Sequence, residues 1–368
     1  MFETEKIYIA GPECFYTNGR EQLRAMRLHA ESLGFGVTLP NDHPLDMENP
    51  DLRKRADSIF QDLKTIMKET TVIIADLEAY RGAEPDSGTV YELGMAYADG
   101  LRCYGYTRDK RALCWKDQSY VLKDGVVCDG TGKRAPYPDL PFSPAIVGST
   151  KIIEGNFDDC LAQLRIDLEE EWKQMGRGVQ KTAAPARTNG ASVSGKPRIY
   201  LADLVRYEED ADVQYGIMKD ICQSYGLEAV TPIDCAEGIR ELDSKNPYVR
   251  AGALAENYCR LIAGCDAVLA DLNHYRGYEC ANDVGFECGV GFEFGKQLFG
   301  YMADTRPCIE KIPNYGEAAG YRDFTGCNVE NFNYPINLMF ASSMEIWQAD
   351  FEAAVKKAAE QLKAKTKS

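Results

Sequence analysis

Short apolar runs alternate with amphipathic stretches in the first part of the chain. The runs "KIYIAG", "FGVTLP", "TVIIADL" and "LRCYGYT" have the length and apolar content of buried β-strands. Between them, "NGREQLRAMRLHAESLG" predicts a helix that Gly34 ends, residues 51–69 predict a second helix, and a short third helix is predicted to begin near Thr89. This alternation indicates an α/β fold, with a doubly wound parallel sheet of about five strands in the flavodoxin-like (Rossmann-like) order.

The same pattern returns in the second half of the chain. "KIYIAGPECFY" at 6–16 corresponds to "RIYLADLVRYE" at 198–208, and "LPND" at 39–42 corresponds to "TPID" at 231–234. The spacing from an arginine to an aspartate to a glutamate is also identical in the two copies: Arg55, Asp76 and Glu92 in the first, Arg250, Asp271 and Glu287 in the second. Chance does not keep both spacings, so the chain is a tandem duplication.

The duplication divides the chain into two domains. We predict a first domain at 1–175, a linker at 176–197 and a second domain at 198–368. The linker contains "QKTAAPARTNGASVSGKP", which is rich in Ala, Ser, Gly and Pro and has no apolar periodicity.

Composition and charge restrict the partners. The 368 residues carry a net charge of −15, which disfavours nucleic acid and anionic membranes, and a small neutral molecule is easier to accommodate. No signal peptide and no apolar run long enough to cross a bilayer is visible, so we expect a cytoplasmic protein.

The 13 cysteines form no C-x-x-C pair and are expected to be reduced. His29, His43 and His274 lie far apart, so we expect no metal and no other cofactor.

Three acidic residues of the first copy are expected to converge on one crevice. Ligands of doubly wound sheets bind beyond the carboxyl ends of the strands, where Asp76 ends the third strand and "DSGTVYELG" contributes Asp86 and Glu92. Crowded carboxyl groups cannot all stay ionised, so one should hold a proton while another is a free carboxylate. Such a pair suits cleavage and re-formation of a glycosidic bond, because the carboxylate attacks the anomeric carbon and the acid protonates the leaving group.

A simpler interpretation of these residues is structural. Asp86 alone is more typical of a helix N-cap, and Glu92 alone of a solvated helix position. However, Glu92 and Glu287 lie in the glycine-rich helices "YELGMAYADG" and "FECGVGFEFG", where small residues allow close packing. A solvated position is therefore less expected for them.

Three segments carry a resemblance to a known family. "KIYIAGPECF", "ADLEAYRGAEPDSGTVYELGMA" and "YPINLMF" together resemble the nucleoside 2-deoxyribosyltransferases, over about residues 5–165 and more faintly over about 197–360. The resemblance implies a flavodoxin-like fold and exchange of the base on 2'-deoxynucleosides. It implies that Glu92 is the nucleophile that forms the deoxyribosyl-enzyme and that Tyr8 orients it. Asp76 and Asp86 would manage the nucleobase and its proton.

The resemblance also implies how substrate is bound. The implied substrate-binding residues are Gly11, Phe15, Gly88, Asn337 and Met339, with Phe15 stacking on the base. In this family an N-L-M motif near the end of a neighbouring subunit completes each pocket. Here the motif is present in the second copy alone, and Ser143 stands at the equivalent position of the first.

The two copies therefore differ in what they supply to a pocket. The first pocket would combine its own acidic residues with Asn337 from the second copy. The second pocket would contain Tyr200, Asp271 and Glu287, but Ala281 replaces its other aspartate, Asp203 replaces the glycine at its entrance, and its cross-domain partner would be Ser143. We therefore expect the two tandem domains to form an internal pseudo-dimer, with one working active site per chain built across it and a degenerate second pocket.

Two other functions remain open from the sequence. The first is hydrolysis of a nucleoside or of a nucleoside 5'-monophosphate, although Glu13 in the first loop disfavours a phosphate. The second is a non-catalytic nucleotide-binding module. The preferred base, the discrimination between ribose and deoxyribose, and homo-oligomers beyond the internal pair are not indicated by the sequence.

Overall fold

The computed structural model describes residues 2–40, 42–116, 119–129, 132, 134–175, 184–185, 195–234 and 246–365. The first domain is built around a central sheet. Its elements are β1 (Lys6–Ala10), α1 (Gly19–Ser32), β2 (Gly36–Thr38), α2 (Leu52–Glu69), β3 (Val72–Asp76), α3 (Ser87–Ala98), β4 (Arg102–Thr107), α4 (Leu113–Lys116), β5 (Val121–Lys123), β6 (Val126–Cys128), α5 (Pro144–Ser149), β7 (Lys151–Glu154) and α6 (Phe157–Met175).

The second domain repeats this arrangement. Its elements are β8 (Arg198–Ala202), α7 (Ala211–Ser224), β9 (Glu228–Val230), α8 (Pro247–Ala263), β10 (Ala267–Asp271), α9 (Asn282–Glu293), β11 (Gln297–Met302), α10 (Cys308–Lys311), α11 (Leu338–Ser343), β12 (Glu345–Gln348) and α12 (Phe351–Lys365). A 3₁₀ turn follows the first strand of each domain, at Pro12–Phe15 and Val205–Tyr207. Most of the predicted linker, 176–183 and 186–194, lies outside the described residues.

Both sheets are parallel and have the predicted strand order. The first sheet runs β2-β1-β3-β4-β7, and the second, read from its other edge, runs β9-β8-β10-β11-β12. In each sheet the strand order reverses between the first and third strands, so the ends of β1 and β3 face one crevice. The predicted α/β fold with two tandem domains is confirmed. The hairpin of β5 and β6 was not predicted, because both strands have only three residues.

Local sequence explains where the helices begin and end. Asp51 caps α2 by accepting a hydrogen bond from the backbone N–H of Arg53 at 3.0 Å. Gly34 follows α1 with a φ of 90°, a left-handed conformation that ends the helix. The third helix, α3, begins at Ser87 rather than near Thr89, because the side chain of Asp86 caps it. Glu92 therefore lies in the second turn of α3.

The two domains share one hydrophobic core. A buried cluster includes Tyr8, Phe60 and Tyr91 of the first domain and Phe286 and Phe340 of the second. Two smaller clusters cover the outer faces of the two sheets, one beneath α1 and α6 and the other beneath α7 and α12. The core is thus continuous across the interface, as in an obligate dimer.

Glycines allow the central helices α3 and α9 to approach closely. A Cβ atom on Gly94 would lie 2.1 Å from the carbonyl oxygen of Phe286, and one on Gly289 would lie 2.0 Å from that of Tyr91. Equivalent residues also form reciprocal ion pairs across the interface, Arg81 with Glu279 and Arg276 with Glu84. Reciprocal contacts of this kind define a pseudo-two-fold axis between the halves.

Two further observations concern cysteines and membranes. None of the described cysteines forms a disulfide, and all of them except Cys14 and Cys114 are buried. In the described part of the chain, no helix combines the length and the apolar character that crossing a bilayer requires.

Candidate active site

A cavity of about 290 Å³ opens at the crevice of the first sheet. The first domain contributes residues from β1 and its following loop, from α2 and from the N-terminal half of α3. The second domain contributes the loop that precedes α11 and the start of that helix. The residues that line the cavity include most of the predicted set, namely Tyr8, Gly11, Phe15, Asp86, Gly88, Glu92, Asn337 and Met339.

Tyr8 and Glu92 form a direct pair in this cavity. The Tyr8 hydroxyl donates a hydrogen bond of 2.7 Å to Oε1 of Glu92. The pKa of Glu92 is raised to about 8, chiefly by burial; the hydrogen bond from Tyr8 opposes the rise, and the nearby Asp86 adds to it. Tyr8 therefore holds one oxygen of the carboxylate and favours its ionised form.

One carboxyl oxygen of Asp86 caps α3, and the other has no hydrogen-bond partner in the described structure. Oδ2 accepts hydrogen bonds of 2.7 Å from the backbone N–H and the hydroxyl of Thr89, which is the capping role weighed from the sequence. Oδ1 is buried and has no hydrogen-bond partner in the described structure. Burial raises the pKa of Asp86. An orphaned buried oxygen is costly, so this atom is suited to a ligand in the cavity.

Asn337 closes the cavity from the second domain. Its Oδ1 caps α11 by accepting a hydrogen bond of 2.9 Å from the backbone N–H of Met339. A Cβ atom on Gly88 would lie 2.6 Å from its Nδ2, so the amide packs directly on the glycine of the S-G-T turn. Ser143 occupies the corresponding N-cap position of α5 in the first domain. Asn337 and Ser143, which are equivalent in sequence, therefore occupy the same structural position in the two domains.

Asp76 is the one predicted catalytic residue that does not line this cavity. Its carboxyl group lies beside that of Glu13, whose Oε1 accepts a hydrogen bond of 2.9 Å from Tyr106 and whose buried Oε2 has no hydrogen-bond partner in the described structure. Burial raises the pKa of both acids. A Cβ atom on Gly11 would lie 2.0 Å from Oε2 of Glu13 and 3.0 Å from Cβ of Asp76, so Gly11 lies between this acid pair and the cavity.

The position of Glu13 also corrects the expectation about phosphate. The 3₁₀ turn at Pro12–Phe15 directs Glu13 towards Tyr106, and it does not line the cavity. The sequence argument that Glu13 disfavours a phosphate therefore does not hold. Phe15 does line the cavity, and its ring stacks on Tyr80 with 5.7 Å between centroids.

In the second pocket an arginine side chain forms an ion pair with the glutamate. Tyr200 donates a hydrogen bond of 2.7 Å to Oε1 of Glu287, as Tyr8 does to Glu92. Arg206, at the position of Cys14, donates two more, of 2.6 Å to Oε1 and 2.8 Å to Oε2. Both side chains of this ion pair are buried, so Glu287 is not free to attack a substrate.

The other residues of the second pocket are also engaged elsewhere. Asp203 accepts a hydrogen bond of 2.6 Å from Tyr215, and Asp271 accepts one of 2.6 Å from the side chain of Asn273. Ala281 caps α9 without a side-chain hydrogen bond, whereas Asp86 provides one in the first domain. Besides the three substitutions from which a degenerate second pocket was predicted, the structure shows a fourth difference, Arg206, which the aligned segments at 6–16 and 198–208 already contained.

Comparison with known proteins identifies the family of the chain. The sequence profile described as "Nucleoside 2-deoxyribosyltransferase" matches residues 7–135 and 199–339, one region in each domain. The chain belongs to the nucleoside 2-deoxyribosyltransferase family.

Individual relatives of this deoxyribosyltransferase-family chain are distant. The structure of a 2-desoxiribosyltransferase from Leishmania mexicana is 27% identical, with a TM-score of 0.35, and the match covers 45% of this chain and 97% of that one. An uncharacterized protein of Schizosaccharomyces pombe is 28% identical over 125 residues, which are 33% of this chain and 58% of the yeast protein. The chain therefore spans little more than half the length of that curated relative.

The family resemblance did not indicate two residues near the site. Glu330 lines the cavity from the second domain, and Arg81 binds the loop that carries it. An acidic residue shortly before the N-L-M motif was visible as "NVENFNYPINLMF". Its approach to Asp86 depends on the packing of the two domains, which no local pattern shows.

Proposed function

We propose that this protein transfers 2-deoxyribose from one nucleobase to another through a covalent intermediate on Glu92. The observation that carries the proposal is a single cavity that holds the Tyr8–Glu92 pair, the open oxygen of Asp86 and the amide of Asn337. Membership in the family supports the same reaction class. The substrates would be a 2'-deoxynucleoside and a free nucleobase.

The proposed reaction has two displacements at the anomeric carbon. In the first, the Glu92 carboxylate forms a bond to C1' while the C1'–N bond breaks and its electrons leave with the base, which takes up a proton from a protonated carboxyl group of the site. In the second, a nitrogen of the incoming base attacks C1', its proton returns to that carboxyl group, and the bond to Glu92 breaks. Glu92 then returns to its carboxylate form.

The residues around Glu92 would divide the remaining tasks. Tyr8 would orient the carboxylate and hold it in its ionised form, because its hydroxyl donates to Oε1. The open oxygen of Asp86 would bind the substrate, and Asn337 would supply an amide from the second domain. Phe15 would stack on the base. For Asp76 we propose an indirect role: burial raises its pKa and that of Glu13, so this pair of acids behind Gly11 would hold a proton near a base bound at that glycine.

An exchange assay tests this function. The protein would be mixed with a deoxynucleoside and a different free base, and the products separated by chromatography. We expect a new deoxynucleoside and the released original base in equal amounts. Free deoxyribose would instead identify a hydrolase, and no change in either reactant would identify a binding module.

We also propose that the protein works in the cytoplasm, in nucleotide salvage. Fractionation of cells that contain the protein would test this location.

A further inference from the structure

The second domain contributes one ionisable side chain to the wall of the cavity, that of Glu330. It lies within a run of lining residues from Asn328 to Phe332. Its Oε1 accepts a hydrogen bond of 3.3 Å from the backbone N–H of Leu338, in the first turn of α11. Its Oε2 has no hydrogen-bond partner among the described residues, so this oxygen is available to a ligand.

The first domain holds Glu330 in place. Arg81 donates a hydrogen bond of 2.8 Å from Nε to Oδ2 of Asp323, and one of 2.7 Å from Nη2 to the carbonyl oxygen of Asn328. The backbone N–H of Asn328 also donates to the carbonyl oxygen of Phe15 at 2.8 Å. Hydrogen bonds from the first domain therefore hold the loop of the second domain that carries Glu330.

The lining of this cavity is acidic and contains no cationic side chain. Its charged members are Asp62, Asp86, Glu92 and Glu330, and all lining residues belong to the described part of the chain. Sites that bind phosphate use Lys, Arg or the free N–H groups of a helix N-terminus. Here the two helix N-termini that line the cavity, those of α3 and α11, are already capped by Asp86 and Asn337. A phosphate in this cavity would lose its hydration without gaining a cation.

We propose that Glu330 is a specificity-determining residue, which makes the cavity accept an uncharged 2'-deoxynucleoside and reject its 5'-monophosphate. The inference rests on the proposed function, since it names which form of the nucleoside the site takes. A protonated Glu330 can donate a hydrogen bond to a sugar or base oxygen. An ionised Glu330 repels a phosphate.

The neighbours of Glu330 determine how this selectivity depends on pH. The pKa of Glu330 is raised to about 8, chiefly by burial and the charge of Asp86; Glu279 adds to the rise, and the Leu338 N–H and Arg81 oppose it. Below that pH the side chain is mostly neutral, and above it the side chain is mostly charged. A 5'-phosphate is already a dianion above about pH 7, because its second pKa is near 6. Rejection of the monophosphate is therefore expected to increase as the pH rises through 8.

Binding to a chain that cannot react separates this inference from catalysis. Calorimetry would give the Kd of a deoxynucleoside and of its 5'-monophosphate for Glu92→Gln, at about pH 7.5 and about pH 9. We expect the nucleoside to bind at least ~10-fold more tightly, with a larger ratio at the higher pH. Adding Glu330→Gln should reduce the ratio at the higher pH by ~10-fold and remove its increase with pH.

Two further variants control the experiment. Glu330→Asp keeps the charge and should keep the increase with pH, and Glu317→Gln, which removes an exposed acid of the same domain, should behave as Glu92→Gln alone. An unchanged ratio in a folded Glu330→Gln protein would overturn the inference and leave the proposed function standing. Failure of both ligands to bind would count against the proposed function as well.

Discussion

At the scale of single residues, a neighbouring residue holds one carboxyl oxygen of each of two acids in the site. One oxygen of Glu92 is held by Tyr8, and one oxygen of Asp86 is held by Thr89. The structural and functional interpretations of Asp86 are therefore compatible, because capping uses Oδ2 and leaves Oδ1 without a partner. Burial gives each acid a raised pKa, as expected for groups that exchange protons during a reaction.

Tyr8→Phe tests the electrostatic role assigned to the tyrosine. The nucleophile must be ionised, so kcat/KM for base exchange should rise with pH through the Glu92 pKa of about 8. The Tyr8 hydroxyl stabilises the carboxylate and lowers this pKa. Its removal should raise the pKa and move the rising limb of the profile to higher pH. Tyr200→Phe, the matched change in the second pocket, should leave the profile unmoved, and a shift of the Tyr8→Phe limb to lower pH would contradict the assignment.

At the scale of secondary-structure elements, α3 and α11 meet at the site. The N-terminus of α3 supplies Asp86, Gly88 and Glu92, and the N-cap of α11 supplies Asn337. Contact between them requires a glycine at position 88, since the Asn337 amide occupies the space of a Cβ atom. The glycine of the S-G-T turn is therefore required because a helix of the other domain packs against it.

Gly88→Ala should weaken catalysis without unfolding the protein. The new methyl group would lie 2.6 Å from Nδ2 of Asn337 and displace the amide from the cavity. A displacement of about 1 Å in a catalytic group can reduce the rate by ~100-fold, and we expect a loss of that order in kcat/KM. Gly216→Ala in α7 is the matched control, because a Cβ atom there meets nothing within 4 Å. Full activity of a folded Gly88→Ala protein would show that contact with Asn337 is not needed.

The elements themselves were largely predictable from the sequence, and the cross-domain contacts were not. Apolar runs such as "TVIIADL" and the periodicity of 51–69 gave the positions of β3 and α2, because a buried strand and an amphipathic helix have local signatures. The family motifs indicated Tyr8, Asp86, Glu92 and Asn337, which line one cavity. Glu13, Arg206 and Glu330 could not be placed, since their surroundings depend on a loop conformation or on the domain interface.

At the scale of the whole molecule, duplication has made one chain carry both halves of an interface. The reciprocal pairs of Arg81 with Glu279 and of Arg276 with Glu84 show that the interface is still symmetric. The two pockets are not symmetric, because Arg206 binds Glu287 in the second and Cys14 stands at the same position in the first. The second domain contributes Asn337 and Glu330 to the lining of the first cavity, and we propose that it serves there as a scaffold.

Paired substitutions test this division of labour. Asn337→Ala should lower kcat/KM for base exchange by ~10-fold or more, because it removes an amide from the proposed site. Ser143→Ala, the equivalent change at the N-cap of α5, should leave activity unchanged. Loss of activity in Ser143→Ala with retention in Asn337→Ala would assign the working site to the second pocket.

Mapping of the covalent adduct tests most directly that each chain has one active site, at Glu92. The protein would be quenched in acid during turnover of a deoxynucleoside, digested, and analysed by mass spectrometry. We predict one deoxyribosyl group per chain, on the peptide that contains Glu92, and none in Glu92→Gln. An adduct on Glu287, or two per chain, would contradict a single site built across the two domains.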